Sequence, residues 1–468
     1  MKVLIVGAGK LGNTLSEYMI LEGIDVTLMD INTEVLERTN EYMDVLTVNG
    51  NGIDISTLKD IDIDSYDLLI ATTGIDETNM VICTLAKKLG CKKVISRIRN
   101  IEYIEQLELI KKEMDIDNII NEDLDTAKAI ERYLLKNYNF YSEEFANGKI
   151  EMIDFNIRHN KQLIEKKIVD LSGFENLLIA AISRDGETII PNGQTKLMSN
   201  DTVYIVGKNE DIKNLDNYFK FNIFNKGINN VMILGGSNIA YYLAKRLVKK
   251  KIFVKIIEQD KNRAEELSKK LEDVLIIHGD GSDIHLLEEE MLDSMDTFVG
   301  TTGFDEQNLL MALVAKQSGV KKSIAKISRK NYIKIIDRLE IDAALNPTYI
   351  VSSNILKLIR GKRIISTSLL LDGDAEVTEM IVDKDSSFIN IPLEKLKLPK
   401  GIIIGAICRN NEIIIPKGNT ELRSNDRIII FCLSKDLSIL KGFHSPDKGG
   451  RLNGLWNRIK GNRDTFNN

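Results

Sequence analysis

VLIVGAGKLG, from Val3 to Gly12, sets an apolar run directly before glycines at positions 7, 9 and 12. The pattern reads as a strand that breaks into a tight turn and resumes as a helix. Glycine at the first place permits the turn, at the second leaves room for an approaching pyrophosphate, and at the third lets the helix pack on the strand. The helix predicted from about Lys10 directs its free amide donors and the positive end of its dipole toward that phosphate. Asp30 then closes the next apolar run, VTLMD. A carboxylate there accepts from two ribose hydroxyls and repels a 2′-phosphate, so NAD(H) or an adenine nucleotide is preferred over NADP(H). The stretch occurs a second time, as VMILGGSNIA from Val231 to Ala240, and the interval from Gly235 to Glu258 equals that from Gly7 to Asp30. One glycine turn is weak grounds for a fold; a repeated strand, turn, helix, strand, acid series decides it.

Around each turn, short β-branched runs alternate with helical patterns. VLIVG, VTLMD, VLTVN, LLIAT and VISRI return as VMILG, VKIIE, VLIIH, TFVGT and SIAKI. Such a series predicts right-handed βαβ crossovers and a parallel sheet covered on both faces. Each series is followed by a smaller strand-rich unit. Ile179 to Val206 matches Ile404 to Phe431 at a constant offset, which sets Pro191 against Pro416 and Asp201 against Asp426. Arg-Asp-Gly and Pro-Asn-Gly in the first unit, and Ser-Asn-Asp in both, read as tight turns in a mostly antiparallel sheet, a folding constraint more than a site. The expected fold class is α/β, with two doubly wound parallel-sheet (Rossmann-like) domains, each followed by a small α+β subdomain. The expected limits are 1–137 and 229–360 for the nucleotide-binding domains, 142–223 and 364–443 for the subdomains, and 444–468 for a disordered tail, in which Leu452, Leu455, Trp456 and Ile459 offer a lesser reading as an amphipathic contact.

Composition narrows the function. The chain has 468 residues, 43% of them hydrophobic, enough for several cores. A net charge of −6 without a long basic stripe before the tail argues against nucleic acid as a partner. Met1 to Val6 enters the glycine turn without the features of a secretory signal, and runs such as Ile402 to Cys408 fall short of the roughly 20 residues that span a bilayer. Cys83, Cys91, Cys408 and Cys432 form no C-x-x-C pair and read as reduced thiols; a metal site from His278, His285 and nearby acids is the lesser reading of unremarkable spacing.

A second signature follows the fourth strand of each series. Thr72, Thr73, Gly74, Asp76, Glu77 and Asn79 recur, all at one offset, as Thr301, Thr302, Gly303, Asp305, Glu306 and Asn308. At the C-terminal edge of a parallel sheet these residues face the nucleotide crevice, although the acids also suit the first turn of a helix. Arg97 and Lys326 are matched cations, read either as phosphate contacts or as solvated surface charge. The second turn departs from the pattern: Ser237 stands where the second glycine belongs and Ala240 replaces the third. The serine Cβ crowds the pyrophosphate path, so weaker or different occupancy is expected in this half.

The two glycine turns, the paired TTGxDExN segments and the alternation of nucleotide domain with small subdomain resemble the NAD-binding peripheral subunit of Trk-type potassium uptake systems, built from two tandem regulator-of-potassium-conductance units. The resemblance covers Met1 to about Gly442. It implies nucleotide contacts at Gly7, Ala8, Gly9, Lys10, Leu11, Asp30, Thr73, Gly74 and Arg97, and in the second half at Gly236, Ser237, Asn238, Ile239, Glu258, Thr302 and Lys326. It also implies NAD(H) and ATP or ADP as ligands, no catalytic or metal residues, a homo-oligomer (a dimer of dimers), and a cytoplasmic position peripheral to the membrane, on a membrane-embedded potassium-translocating subunit that the chain gates. Two rival readings stand beside it, a nicotinamide-dependent oxidoreductase and the soluble gating subunit of another cation transporter. The units after each nucleotide fold are small, matched and almost free of histidine, with His159 and His444 outside the matched pattern, which speaks against the first.

Overall fold

The computed structural model describes residues 1–135, 142–160, 162–174, 176–219, 227–329, 332, 339, 341–360, 363–440 and 443. The expected tail, with Trp456, and parts of the three expected domain junctions lie outside the described residues.

Six parallel strands make the first sheet, in the order Leu46–Asn49, Asp25–Asp30, Lys2–Val6, Leu68–Ala71, Val94–Arg97, Asn118–Ile120. The second repeats it as Leu275–His278, Phe253–Glu258, Asn230–Leu234, Thr297–Gly300, Lys322–Lys326, Ala343–Leu345. Strand order reverses beside Lys2–Val6 and beside Asn230–Leu234, so a crevice opens there at the carboxyl ends of the strands. The central strands are covered on both faces; Val3, Leu4 and Ile5 are fully buried, which is why they read as an unbroken apolar run. The sixth strand of each sheet, a short one, is not among those expected.

Each small subdomain is a five-stranded antiparallel sheet. The first orders Glu187–Ile189, Leu177–Arg184, Thr202–Lys208, Ile150–Asn156, Ser142–Phe145; the second orders Ile364–Leu370, Ala375–Ile381, Arg427–Leu433, Ile402–Arg409, Glu412–Ile414. The matched aspartates have a structural task. Asp201 takes a two-pronged bond from Arg184 (both 2.8 Å) and the Met198 amide, and Asp426 takes the same from Arg409 (2.8 and 2.7 Å) and the Arg423 amide. Both carboxylates are buried, so each clamp holds its turn against the sheet.

The halves exchange helices. Glu122–Leu135 leaves the first sheet and lies on Asn238–Val248, burying Ala127, Ile130, Tyr133 and Leu134 with Ile239, Leu243 and Leu247. In return Pro347–Arg360 lies on Lys10–Leu21, burying Val351, Ile355 and Leu356 with Leu11, Leu15 and Met19. The two exchanged helices also touch each other. The subdomain sheets pack together through small residues: Ala180 and Ala181 share a core with Ala406 and Phe431, and a Cβ on Gly405 would stand 3.3 Å from Val206. Among the described residues no helix is long and apolar enough to cross a membrane.

Candidate functional site

The first turn is built so that one position alone stays open. Gly7 has φ +109°, and a Cβ there would fall 2.9 Å from the backbone of Thr72 and Thr73. Its amide donates to Met29 O at 2.8 Å, and the buried Thr72 hydroxyl donates to the Gly7 carbonyl at 3.0 Å, so the turn is latched to both neighbouring strands. A Cβ on Gly12 would lie 2.0 Å from Gly7 O, which is how closely the helix approaches. Gly9 has nothing within 4 Å of its missing Cβ. It is the N-cap of helix Lys10–Leu21 and no side chain caps that helix, leaving first-turn amides with hydrogen bonds to give. Ala8, 2% exposed, and Leu11, 4%, send their side chains into the core, so they face the turn through backbone only. Lys10 is exposed.

Asp30 joins this turn to the next strand. Its carboxylate accepts from the Ala8 amide at 2.8 Å and the Asn32 amide at 2.9 Å, one on each oxygen, which fixes the group while leaving each oxygen a lone pair. The opposite wall is organised by Asn79, fully buried. Its Oδ1 accepts from the Thr73 amide (2.9 Å) and hydroxyl (2.7 Å), and its Nδ2 donates to the carbonyls of Thr73 (3.2 Å) and Arg97 (3.0 Å). The Gly74 position has open space beside it. Asp76 accepts from the amides of Arg99 (2.8 Å) and Asn100 (2.7 Å), stapling the next loop in place. Arg97 donates to Thr73 O at 3.2 Å and pairs with Glu122, with both side chains 13% exposed. It is therefore no solvated surface charge.

The second turn keeps the scaffold: Gly235 at φ +90°, Thr301 latched to Gly235 O at 2.9 Å, Asn308 bonded to Thr302 and Lys326, and Asp305 accepting from the amides of Ser328 and Arg329. Its loop differs at four places. The Ser237 hydroxyl turns back and accepts from the Ala240 amide at 3.3 Å, so it caps the helix. Glu258, one methylene longer than Asp30, reaches back to the Gly236 amide at 2.5 Å; a Cβ on residue 236 would lie 2.8 Å from that oxygen, which accounts for glycine where the first half has Ala8. Arg263 donates to Gly236 O at 2.7 Å and to Asn238 Oδ1 at 3.1 Å, replacing the neutral Asn13, which donates to Ala8 O at 2.9 Å. Finally, Pro347 opens the exchanged helix where Glu122 opens the other. Lys326 keeps the bond to the strand-end carbonyl, donating to Thr302 O at 3.1 Å, and its nearest acid is Asp305, 3.7 Å away. Ile239 is core, 4% exposed.

The two clefts face one another closely enough to share charge. Burial holds the Lys326 ammonium below the usual lysine range; Asp305 opposes that effect and Lys10 of the other half adds to it. Asn238 lies 3.4 Å from Asp123, whose carboxyl is raised by burial and by neighbouring Glu122. Sequence reasoning does not single out Asn13, Arg99, Glu122, Asp123 or Arg263. None lies in a motif, and Arg263 and Glu122 have no counterpart of like charge in the other repeat. Among the described residues no three His, Cys, Asp or Glu side chains gather to hold a metal ion; His285 is exposed, 3.6 Å from Glu288.

The TrkA-N domain profile matches residues 3–122 and 231–347, and the TrkA-C domain profile residues 152–220 and 377–441. A Trk system potassium uptake protein TrkA homolog from Archaeoglobus fulgidus is 35% identical over 431 residues, covering 92% of this chain and 97% of that one. A second, from Methanosarcina mazei, is 34% identical over 444 residues, covering 93% and 98%. The Trk system potassium uptake protein TrkA of Vibrio alginolyticus is 32% identical over 444 residues, covering 93% and 96%. Among solved structures, the GsuK RCK domain aligns with TM-score 0.55 at 17% identity over 94% of both chains. The GsuK channel bound to NAD aligns with TM-score 0.55 at 18% identity over 94% of this chain and 78% of that one. At those identities the likeness is one of fold.

Proposed function

The chain belongs to the TrkA family, and from that premise we propose that it is the regulatory nucleotide-binding subunit of a potassium uptake system. It binds NAD(H) and ATP or ADP, breaks no bond in them, and uses their preference for one arrangement of its domains to gate a membrane-embedded potassium-translocating subunit. The first cleft carries this reading: a turn closed everywhere but at Gly9, an uncapped helix behind it, and a carboxylate held in place at Asp30. These features suit a dinucleotide's pyrophosphate and ribose. In the first half Gly9, Lys10 and Leu11 would receive the phosphates through backbone amides, Gly7 and Ala8, whose amides are held by Met29 O and Asp30, would shape the turn around them, Asp30 would take the ribose, and Thr73, Gly74 and Arg97 the far side. In the second half Gly236, Ser237, Asn238, Ile239, Glu258, Thr302 and Lys326 would do so with lower affinity, since Ser237 already uses one of the amides. The family's potassium-uptake relatives and the fold shared with a channel bound to NAD support the same assignment.

A ligand that prefers one state by tenfold supplies about 1.4 kcal/mol per site, so a decisive shift needs several sites acting together. Two clefts per chain and a homo-oligomer, a dimer of dimers, at the cytoplasmic face would provide them. Calorimetric titration of the full chain with NADH and ATP tests the binding step. Asp30→Ala is expected to weaken NADH at least about tenfold, the loss of a bidentate ribose contact. Absence of NADH and ATP binding to the native chain, or channel activity indifferent to both in membrane patches, would overturn the proposal.

A further inference from the structure

Helix Lys10–Leu21 starts at the first glycine turn and ends at a buried cluster of charge. Its C-cap residue, Glu22, accepts from Nε of Arg360 at 3.0 Å, and Nη2 of Arg360 donates at 2.7 Å to Glu376. The side chains of Glu22, Arg360 and Glu376 are 8, 5 and 0% exposed. Thr367 and Thr378 accept from the same guanidinium at 3.2 and 3.4 Å. One turn earlier on the helix, Tyr18 lies so close to Gly373 that a Cβ there would fall 1.4 Å from the phenol oxygen. The first nucleotide domain, the end of helix Pro347–Arg360 and the sheet of the last subdomain thus meet at one point.

The repeat provides an internal control. Tyr18, Glu22, Arg360, Gly373 and Glu376 correspond to Arg246, Lys250, Leu135, Gly148 and Glu151. In that half, Arg246 and Lys250 pair with Glu131 on the exchanged helix, with side chains 39 and 47% exposed, and the residue in the place of Arg360 is the exposed, uncharged Leu135. A Cβ on Gly148 would meet only Glu144 of its own subdomain. Among the described residues, the second nucleotide helix is paired to a helix, whereas the first is paired through Arg360, at the end of its exchanged helix, to a subdomain as well. A buried ion cluster is a poor source of stability and a good means of enforcing one register, because its bonds are directional and cannot slip as an apolar face can.

We propose that Glu22, Arg360 and Glu376 form the coupling through which the first cleft acts on the last subdomain, residues 364–443, a charge cluster that the matching positions of the second half do not repeat. The inference rests on the reading that the first cleft binds a nucleotide. A phosphate drawn onto the amides near Gly9 acts on a rigid rod about 18 Å long. The far end of that rod delivers the displacement through Glu22 and Tyr18.

Hydrogen exchange of the full chain with and without NADH tests it. Bound NADH is expected to change exchange in Ala375–Ile381 and Arg427–Leu433 by about threefold more than in Ile150–Asn156 and Thr202–Lys208. The triple replacement Glu22→Leu, Arg360→Met, Glu376→Leu keeps apolar volume, and should abolish that difference while leaving NADH affinity within about threefold. Should the triple variant not fold, Tyr18→Ala, which opens the Gly373 contact without stranding a charge, should reduce the same difference. NADH that binds but alters both subdomains equally, or a difference that survives in a folded variant, overturns the coupling alone. NADH that does not bind the native chain overturns the nucleotide-binding reading beneath it.

Discussion

Gly12 and Ala240 occupy the same step of the two repeats, and the space at each decides what a methyl group costs. At Gly12 the added Cβ would meet the Gly7 carbonyl at 2.0 Å, so turn or helix must move; at residue 240 the methyl is already fully buried. Gly12→Ala is expected to cost about 2 to 3 kcal/mol through overpacking. Ala240→Gly should cost about 1 kcal/mol, from backbone entropy and a lost methyl. Differential scanning fluorimetry ranks the pair, and an equal or reversed order would show the first turn to be less tight than its geometry. Ser237 makes the complementary case. Its hydroxyl occupies the Ala240 amide at 3.3 Å, and replacing a capping serine by glycine costs only a few tenths of a kcal/mol. On the proposed nucleotide-binding role, Ser237→Gly should therefore raise nucleotide affinity at the second cleft several-fold with little change in melting temperature, read as a tighter weak-site phase in calorimetry with NADH or ATP. An unaltered weak-site phase would mean that the serine is not what limits that site.

At the scale of elements, Asn79 and Asn308 organise the loops between fourth and fifth strands. Each buried amide meets four backbone or hydroxyl partners. Asn79→Ala strands those partners, with an expected loss of about 3 kcal/mol and protease cleavage near Thr73 and Gly74 that the native chain resists. A variant as protease-resistant as native would place the loop's order elsewhere. The sequence made much of this level legible: all but the last strand in each parallel sheet, both glycine turns and the TTGxDExN pairs are local patterns read from periodicity and turn chemistry. Asn118–Ile120 and Ala343–Leu345 escaped because so short a run carries no periodicity and is held by its neighbours. Helix exchange escaped for a similar reason. The apolar stripe of Glu122–Leu135 announces burial but not against which half, and the turning back of Ser237 depends on a rotamer that no spacing encodes.

For the whole molecule, the join between halves carries a titratable group that makes its stability depend on pH. Lys322 opens a strand of the second sheet and is 2% exposed. Its ammonium donates to the carbonyls of Tyr133 (3.3 Å) and Leu134 (3.4 Å), at the C-terminal end of the helix that arrives from the first half, and lies 5.2 Å from the Tyr133 ring. The cation thus suits the negative end of that helix dipole. Burial nevertheless pushes its pKa down to about 8 from 10.5, with Asp342 opposing the shift and Lys316 adding to it. The unfolded chain then holds this proton more tightly than the folded one between pH 8 and 10.5. Stability from the group is complete above the unfolded value and is lost as pH falls through the folded one, a span worth roughly 3 kcal/mol. Lys322→Met removes the titration but not the other lysines and tyrosines, so the difference between the two proteins isolates it. Across pH 8 to 10.5 the melting temperature of native protein should rise relative to Lys322→Met, and the gap should be flat from about pH 6 to 7. A gap that stays constant through about pH 10 would mean that Lys322 titrates in the folded chain as it does in water, and that the contact between halves is wetter than its burial implies.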